Sequence, residues 1–481
     1  MTDRGRRTAH QWVDELIDRG SWESWDTAVE RTGLDPGYAQ ALTTAEQRAG
    51  VDESVITGAG TVDGVRVALV VSEFAFLGGS IGHDAGARVV GALQRATSER
   101  VAVLALPSSG GTRMQEGTSA FLQMTAIAAA VNRHKAAGLP YLVYLRHPTT
   151  GGVFASWASQ GHITWAEPAA LVGFLGPRVV EALTGTAIPA GVQSAENLLR
   201  HGLVDAVLSA EGLREIVGKT LSLLADGTQA GSPRESVAGC VSPSAAASTA
   251  ASTAWETVTA TRAEDRPGLR DLLSGLETVP IRTNGPVWLV LVRLGRRRAV
   301  LVGHDRVAQQ EGMLIGPSDL RVARRGVALA AGLRLPLVTA IDTPGAELSA
   351  AAEEAGLAGE ISCCTSELLE VPVRTVSVLL GHGGGGAALA LFPADRIIAA
   401  ADAWLAPLPP EGASVIVHRD TDHAPEMARR QGILARELAE QGVVDEVVDL
   451  GRAGVDGLIG QVATALDVEV RGDRARVPRL S

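Results

Sequence analysis

The stretch VAVLALPSSGG (101–111) decides the reading of the fold. An apolar run of strand length ends in two small polar residues and a glycine pair. LPYLVYLRHPTTGG (139–152) repeats that pattern, and HITWAEPAALVGF (162–174) follows it. The same series returns later as LPLVTAIDTPGA (335–346), VPVRTVSVLLGHGGGG (371–386) and DRIIAAADAWLAPL (395–408). Gly111 and Gly152 are 41 residues apart, as are Gly345 and Gly386. Gly152 to Ile163 and Gly386 to Ile397 are both 11 residues. A turn phrase recurs as HGLVDAV (201–207) and QGVVDEV (441–447). Gly111 therefore maps onto Gly345 and Gly152 onto Gly386 by one common offset, and the turn phrases map by a slightly larger one. Two matched spacings with matched patterns indicate a duplicated domain.

The runs do not alternate apolar with polar, which suits strands buried on both faces. Between them lie stretches such as 123–138 and 319–332, with apolar residues at three- and four-residue steps. The fold class is therefore α/β with βαβ crossovers. Thr375–Ala394 carries no formal charge and is long enough for a membrane span, but Gly383–Gly386 divides it into strand, turn and helix.

The 481 residues allow two to four domains. Residues 230–254, AGSPRESVAGCVSPSAAASTAASTA, hold almost nothing that fills a core and read as a linker. This gives an N-terminal domain over 1–229, a C-terminal domain over 255–470 and an Arg-rich tail over 471–481. Mean hydropathy is +0.15 and net charge −11. Those values exclude a largely disordered chain and argue against a nucleic-acid or anionic-membrane binder. No apolar leader is visible at the N-terminus, so a cytoplasmic protein is expected. Cys240, Cys363 and Cys364 cannot build a disulfide framework or a four-cysteine zinc site. They are expected to be buried and inert.

Each strand–helix junction is expected to place glycine at a helix start, where free N–H groups bind an anion or a developing oxyanion. Four such corners stand out: Gly110–Gly111, Gly151–Gly152, Gly345–Ala346 and Gly385–Ala388. Tight helix packing is the alternative for any one of them; duplicated spacing favours a functional role. No phosphate loop, nucleophile elbow or metal-ligand spacing is present. His147 and His382 precede glycine corners, where orienting or packing competes with acid–base work. Glu116, Glu353, Glu354 and Glu411 follow glycine-rich turns, as helix-start acids commonly do. A site of backbone amides lacking a side-chain base implies a base brought by substrate or cofactor.

The first half resembles the β subunit of the bacterial acetyl-CoA carboxylase carboxyltransferase. The phrases that carry this are FAFLGGSIG (74–82), SSGGTRMQEG (108–117), HPTTGGVFASWAS (147–159) and ITWAEPAALVGFLGPRVVE (163–181). The second half resembles the α subunit through ETVTATRAEDRP (256–267), IDTPGAELSAAAEEAG (341–356), GHGGGGAALAL (381–391) and PPEGAS (409–414). The resemblance covers roughly residues 9–225 and 255–450.

It implies two tandem crotonase-like domains and a biotin-dependent acyl-CoA carboxyltransferase. Carboxybiotin, carried in by a separate protein, would release CO₂. Its ureido nitrogen would then take the α-proton of the acyl-CoA, and the enolate would attack CO₂. Acetyl-CoA to malonyl-CoA, as in fatty acid biosynthesis, is the default; a longer acyl group or a carrier-protein thioester stays open. Gly151 and Gly152, with Gly110 and Gly111 beside them, would hold the thioester enolate. Gly385, Gly386, Ala387 and Ala388 would serve biotin, with Gly345 and Ala346 nearby. Family architecture implies a homodimer or higher homo-oligomer.

Neither Lys135 nor Lys219, the chain's two lysines, is flanked by Met as in a biotin carrier. No region is left over for a biotin carboxylase, so both partners are expected as separate chains. The zinc ribbon of many β subunits is missing, so no structural zinc is expected. Other positions depart from the family pattern: Ala387 replaces a glycine, Glu347-Leu348-Ser349 replaces Tyr-Pro-Gly, and Ala413 replaces Cys. A Cβ at 387 would narrow the biotin corner, or a backbone shift would absorb it. Two alternatives remain: a biotin-independent decarboxylase of malonyl-type thioesters, and a non-catalytic paralogue. Arg113 and Arg178 are candidate CoA-phosphate partners, against the commoner role of surface residues.

Overall fold

A computed structural model describes residues 6–29, 31–225 and 253–467. Two compact units divide the chain after Ala225. The expected linker lies outside the described residues except for its last two. There Thr253 caps a helix that begins at Ala254 by accepting the Glu256 N–H. The expected tail also lies outside the described residues.

In the first unit a seven-stranded sheet runs in chain order: Glu23–Ser24, Val55–Val62, Val65–Ser72, Ala102–Leu106, Tyr141–Leu145, Ile163–Ala166 and Ala206–Val207. The first three strands are antiparallel and the others join in parallel. Helices His83–Ser98 and Gly117–Ala136 make the crossovers before and after Ala102–Leu106. Tyr141–Leu145 is buried at every position, so its side chains fill both faces of the sheet. Val89, Val103, Ile127, Val143 and Trp157 belong to one apolar core. Burying each such side chain contributes about 1.5–3 kcal/mol.

The second unit repeats this order with Thr278–Arg282, Val287–Leu294, Arg297–His304, Leu337–Thr343, Thr375–Gly384, Arg396–Ala400 and Glu446–Val448; Trp404–Ala406 pairs with Thr375–Gly384 off that path. Helices Pro317–Leu333 and Leu357–Glu370 are its crossovers. Both sheets therefore open with an antiparallel hairpin that apolar runs alone do not announce. Its turn chemistry is nevertheless present. Asp63 and Gly64 both take positive φ, 49° and 80°, the combination a two-residue turn between twisted strands requires.

Candidate active site

The glycine corners sit where parallel strands end. Gly111 (φ +112°) and Gly151 (φ +66°) occupy backbone that favours glycine. They also press together. A Cβ on Gly111 would lie 3.2 Å from Gly151 Cα and 3.3 Å from Gly152 N. A Cβ on Gly151 would lie 3.0 Å from Gly110 O.

Three of the four amides expected to be free are occupied. Gly110 donates to Gly78 O at 2.9 Å and Gly151 to Phe174 O at 2.8 Å. Gly111 donates to Ser109 Oγ at 2.9 Å. Of the residues Gly110–Thr112 and Gly151–Gly152, those whose N–H groups have no acceptor outside the strands and helices, among the described residues, are Thr112 and Gly152. Contrary to the expectation above, Gly110 and Gly111 do not start a helix. The chain first bridges to Ile81 at Thr112 and makes a short 3-10 turn before the helix Gly117–Ala136. Thr112 was missed because its neighbours, not its residue type, leave its amide bare.

The second unit is built alike. Gly345 donates to Thr343 Oγ1 at 3.1 Å, and Glu347 to Ile315 O at 2.9 Å, as Arg113 does to Ile81 O. Gly385 takes φ +63°. Ala346 and Gly386, and the adjoining Gly385, have N–H groups without an acceptor outside the strands and helices among the described residues. By the common offset of the repeat, Ala346 is the counterpart of Thr112 and Gly386 that of Gly152. Two corners of matched geometry thus each present a pair of unpaired amides. Such donors stabilise an oxyanion at no cost of reorganisation.

Ala387 and Ala388 are fully buried. Leu348 is 90% exposed, in place of the family's Pro. Ala413 is buried.

His147 and His382 both lie packed among neighbouring groups. His147 Nδ1 accepts the Leu171 N–H at 3.0 Å, its own N–H donates to Glu167, and burial depresses its pKa. His382 lies against Trp404, and burial, reinforced by nearby arginines, pushes its pKa down to about 4. Glu116 is held by Tyr38 Oη, the His83 N–H and Arg113. Glu411 pairs with Arg262 at 2.7 Å, while Glu353 and Glu354 are exposed.

Arg113 is neither a surface residue nor open to a phosphate. It is 1% exposed and paired with the equally buried Glu53. Burial opposes its charge, but Glu53 outweighs that, and its pKa lies above the usual value. Arg178 is exposed on the helix Pro177–Thr184. Cys364 is buried as expected, and Cys363 is not. Burial pushes the Cys364 thiol up to about 12, whereas Cys363 is exposed; Cys240 lies outside the described residues. Among the described residues no cluster of three His, Cys, Asp or Glu side chains suits a metal, and no helix is long and apolar enough to cross a membrane.

Comparison with known proteins identifies the family and the fold. Residues 1–233 match the carboxyl transferase domain family, and residues 243–477 match the acetyl co-enzyme A carboxylase carboxyltransferase-like family. A Mycobacterium tuberculosis protein, named probable biotin-dependent acyl-coenzyme A carboxylase beta3 subunit, is 51% identical over 450 residues, covering 92% of this chain and 89% of that protein. The acetyl-coenzyme A carboxylase carboxyl transferase subunits beta/alpha of Salinispora arenicola are 37% identical, covering 92% and 82%. The crystal structure of transcarboxylase 12S, a hexamer with methylmalonyl-coenzyme A bound, superposes with a TM-score of 0.78 at 20% identity, covering 98% of this chain and 92% of that one. That likeness places both units in the crotonase-like fold.

Proposed function

Since the chain belongs to the biotin-dependent acyl-CoA carboxylase carboxyltransferase family, we propose that it moves a carboxyl group from carboxybiotin on a separate carrier protein to the α-carbon of an acyl-CoA. Biotin carboxylase would be a further separate chain. The observation that carries this reading is the duplicated amide pair, one for each oxyanion the reaction develops. Thr112 and Gly152 would receive the thioester oxygen as the α-proton leaves; Ala346 and Gly386 would receive the ureido oxygen. The donor set fits both groups, because each is a planar carbonyl whose oxygen gains charge. Bound carboxybiotin supplies the carboxyl group and, once that is given up, a basic ureido nitrogen. No titratable side chain described above is placed to act as the base. Removing one such donor costs about 10²–10³ in rate.

Acetyl-CoA is the first acyl substrate to try, although the Mycobacterium tuberculosis relative is named for acyl-CoA in general. A biotin-independent decarboxylase would need one oxyanion hole, so the unpaired Ala346 and Gly386 amides favour the carboxyltransferase. We also propose a cytoplasmic enzyme that forms a homodimer or a higher homo-oligomer. Exposed apolar side chains such as Phe121 and Leu183 in the first unit, and Leu348 and Ile416 in the second, support assembly.

The test incubates the purified chain with malonyl-CoA, with and without free biotin, and follows acetyl-CoA by mass spectrometry; methylmalonyl-CoA and longer homologues follow. Decarboxylated product formed only with biotin is expected. Equal turnover without biotin would indicate the decarboxylase, and no turnover of any thioester would overturn the reading.

A further inference from the structure

Beneath Ala346 and Gly386 the two central strands of the second unit change register. Ile341 faces Leu379, yet Thr343 faces Gly383. A step of two residues on one strand is therefore matched by four on the other, and Leu380, Gly381 and His382 bulge out of the ladder. A bulge in a sheet buried on both faces leaves N–H groups that still need acceptors. Asp342 supplies one from inside the irregularity. Its Oδ1 accepts the His382 N–H at 3.0 Å, and its own N–H donates to His304 Nδ1 at 3.3 Å.

This carboxylate is fully buried. Burial raises its pKa, while Arg266 and Arg306 oppose the rise. Arg266 is clamped by Asp402 at 2.9 and 2.6 Å and also donates to Leu380 O. The missing side chain of Gly381 makes room for this group, since a Cβ there would collide with Arg266 Nη1 and lie 2.7 Å from Asp342 Oδ1. Arg306 Nη1 stands 4.0 Å from Asp342 Oδ2, and neither atom has a hydrogen-bond partner among the described residues.

The first unit lacks this device. At the positions equivalent to Asp342 and His382 in the repeat stand Ser108 and Pro148. Pro148 has no N–H to donate, and Ser108 Oγ instead donates to His147 O at 3.0 Å. The first unit's turn is met instead from outside the strand pair, by Glu167 Oε2, which accepts the His147 N–H at 2.8 Å.

We propose that Asp342 is a positioning residue: its carboxylate, steadied by Arg266 and Arg306, locks the His382–Gly386 turn against the Thr343–Ala346 turn so that the two free amides converge on one oxyanion. This inference rests on the reading that the Ala346/Gly386 pair serves biotin. Asp342→Asn keeps an acceptor for the His382 N–H but turns an amide NH₂ toward Arg306, so two donors face each other. The turn then shifts without losing its packing, and a displacement near 1 Å costs about 10² in rate.

The experiment compares the wild-type chain, Asp342→Asn and Gly386→Val in biotin-dependent turnover of malonyl-CoA, with kcat, both KM values and the melting temperature recorded. The expected result for Asp342→Asn is a kcat lower by about 10²-fold with an unchanged KM for malonyl-CoA and a folded protein. Wild-type kcat in Asp342→Asn beside an inactive Gly386→Val would overturn the role of Asp342 and leave the biotin corner standing. Unchanged turnover in a folded Gly386→Val would remove the biotin corner and the proposal with it. A rise in the malonyl-CoA KM matching the fall in kcat would mark general distortion and also overturn it. Should Asp342→Asn fail to fold, Asp342→Asn/Arg306→Gln, which removes the opposed charges together, is measured instead; wild-type kcat in that variant overturns the proposal.

Discussion

Gly111 and Gly151 meet backbone to backbone: a Cβ on the first would lie 3.2 Å from the Cα of the second. Their contact brings the bare amides of Thr112 and Gly152 to one corner. Gly111 and Gly151 both have positive φ, so a side chain at either would strain the backbone as well as crowd it. The corner is set by the absence of two side chains, and a reaction that needs only N–H groups tolerates that.

Gly152 has ordinary φ, so a substitution there tests space and not backbone strain. A Cβ would lie 3.1 Å from Thr112 Oγ1 and 3.2 Å from Met124 Cγ. Gly152→Val should fold, because the neighbours met first are side chains, and should lose at least about 10²–10³ in biotin-dependent turnover. Melting temperature and kcat on the same preparation check this; a folded, fully active variant would remove Gly152 from the site.

The duplication was legible because glycines that must lie at fixed places keep their spacing. Which amides are free was not. Gly110 is satisfied by Gly78 O and Gly151 by Phe174 O, acceptors distant in the chain that no spacing rule announces. Arg113 was misjudged for the same reason: Glu53, its partner, is 60 residues away. The hairpin over Val55–Ser72 does have a local signal, Asp63–Gly64, which lies between the apolar runs and not in them. Asp342 sits within a phrase quoted for resemblance, but its role depends on a register change visible only once the strands are paired.

The Arg113–Glu53 pair makes a stability prediction. Both side chains are 1% exposed, and Arg113 also donates to Ser80 O at 2.8 Å. Glu53→Gln removes the nearer counter-charge of a buried guanidinium and leaves Glu116 at 3.3 Å; breaking such a buried pair costs up to about 3–5 kcal/mol. Thermal melting should show the first unit's transition lowered while the second unit's is unmoved. A shared, unshifted transition would refute a structural role for the pair.

The neighbouring thiols should react very differently. Cys363 is exposed, whereas Cys364 is buried with its thiol pushed up to about 12. Thiolate is the reactive form, so at pH 8 an alkylating reagent should modify Cys363 in native protein and reach Cys364 only after denaturation. Peptide mapping distinguishes the two; native labelling of Cys364 would contradict the packing of the helix Leu357–Glu370.

Asp18 supplies a pH dependence whose sign can be fixed. Its carboxylate accepts from Thr61 Oγ1 at 2.7 Å, Gly64 N at 2.9 Å and Arg214 Nη2 at 2.6 Å. These bonds, that of Thr61 foremost, hold its pKa well below the usual carboxylate range. A depressed folded-state pKa means the native state prefers the charged form. The stabilisation is therefore complete above the unfolded value, about 3.9, and disappears as pH falls through the lower native value. Asp18→Asn should lower the melting temperature at pH 7, and the gap to wild type should close as the buffer is taken below about pH 4. A gap that widens toward acid would reverse the sign of the linkage and show that Asp18 is not held as an anion by Thr61, Gly64 and Arg214.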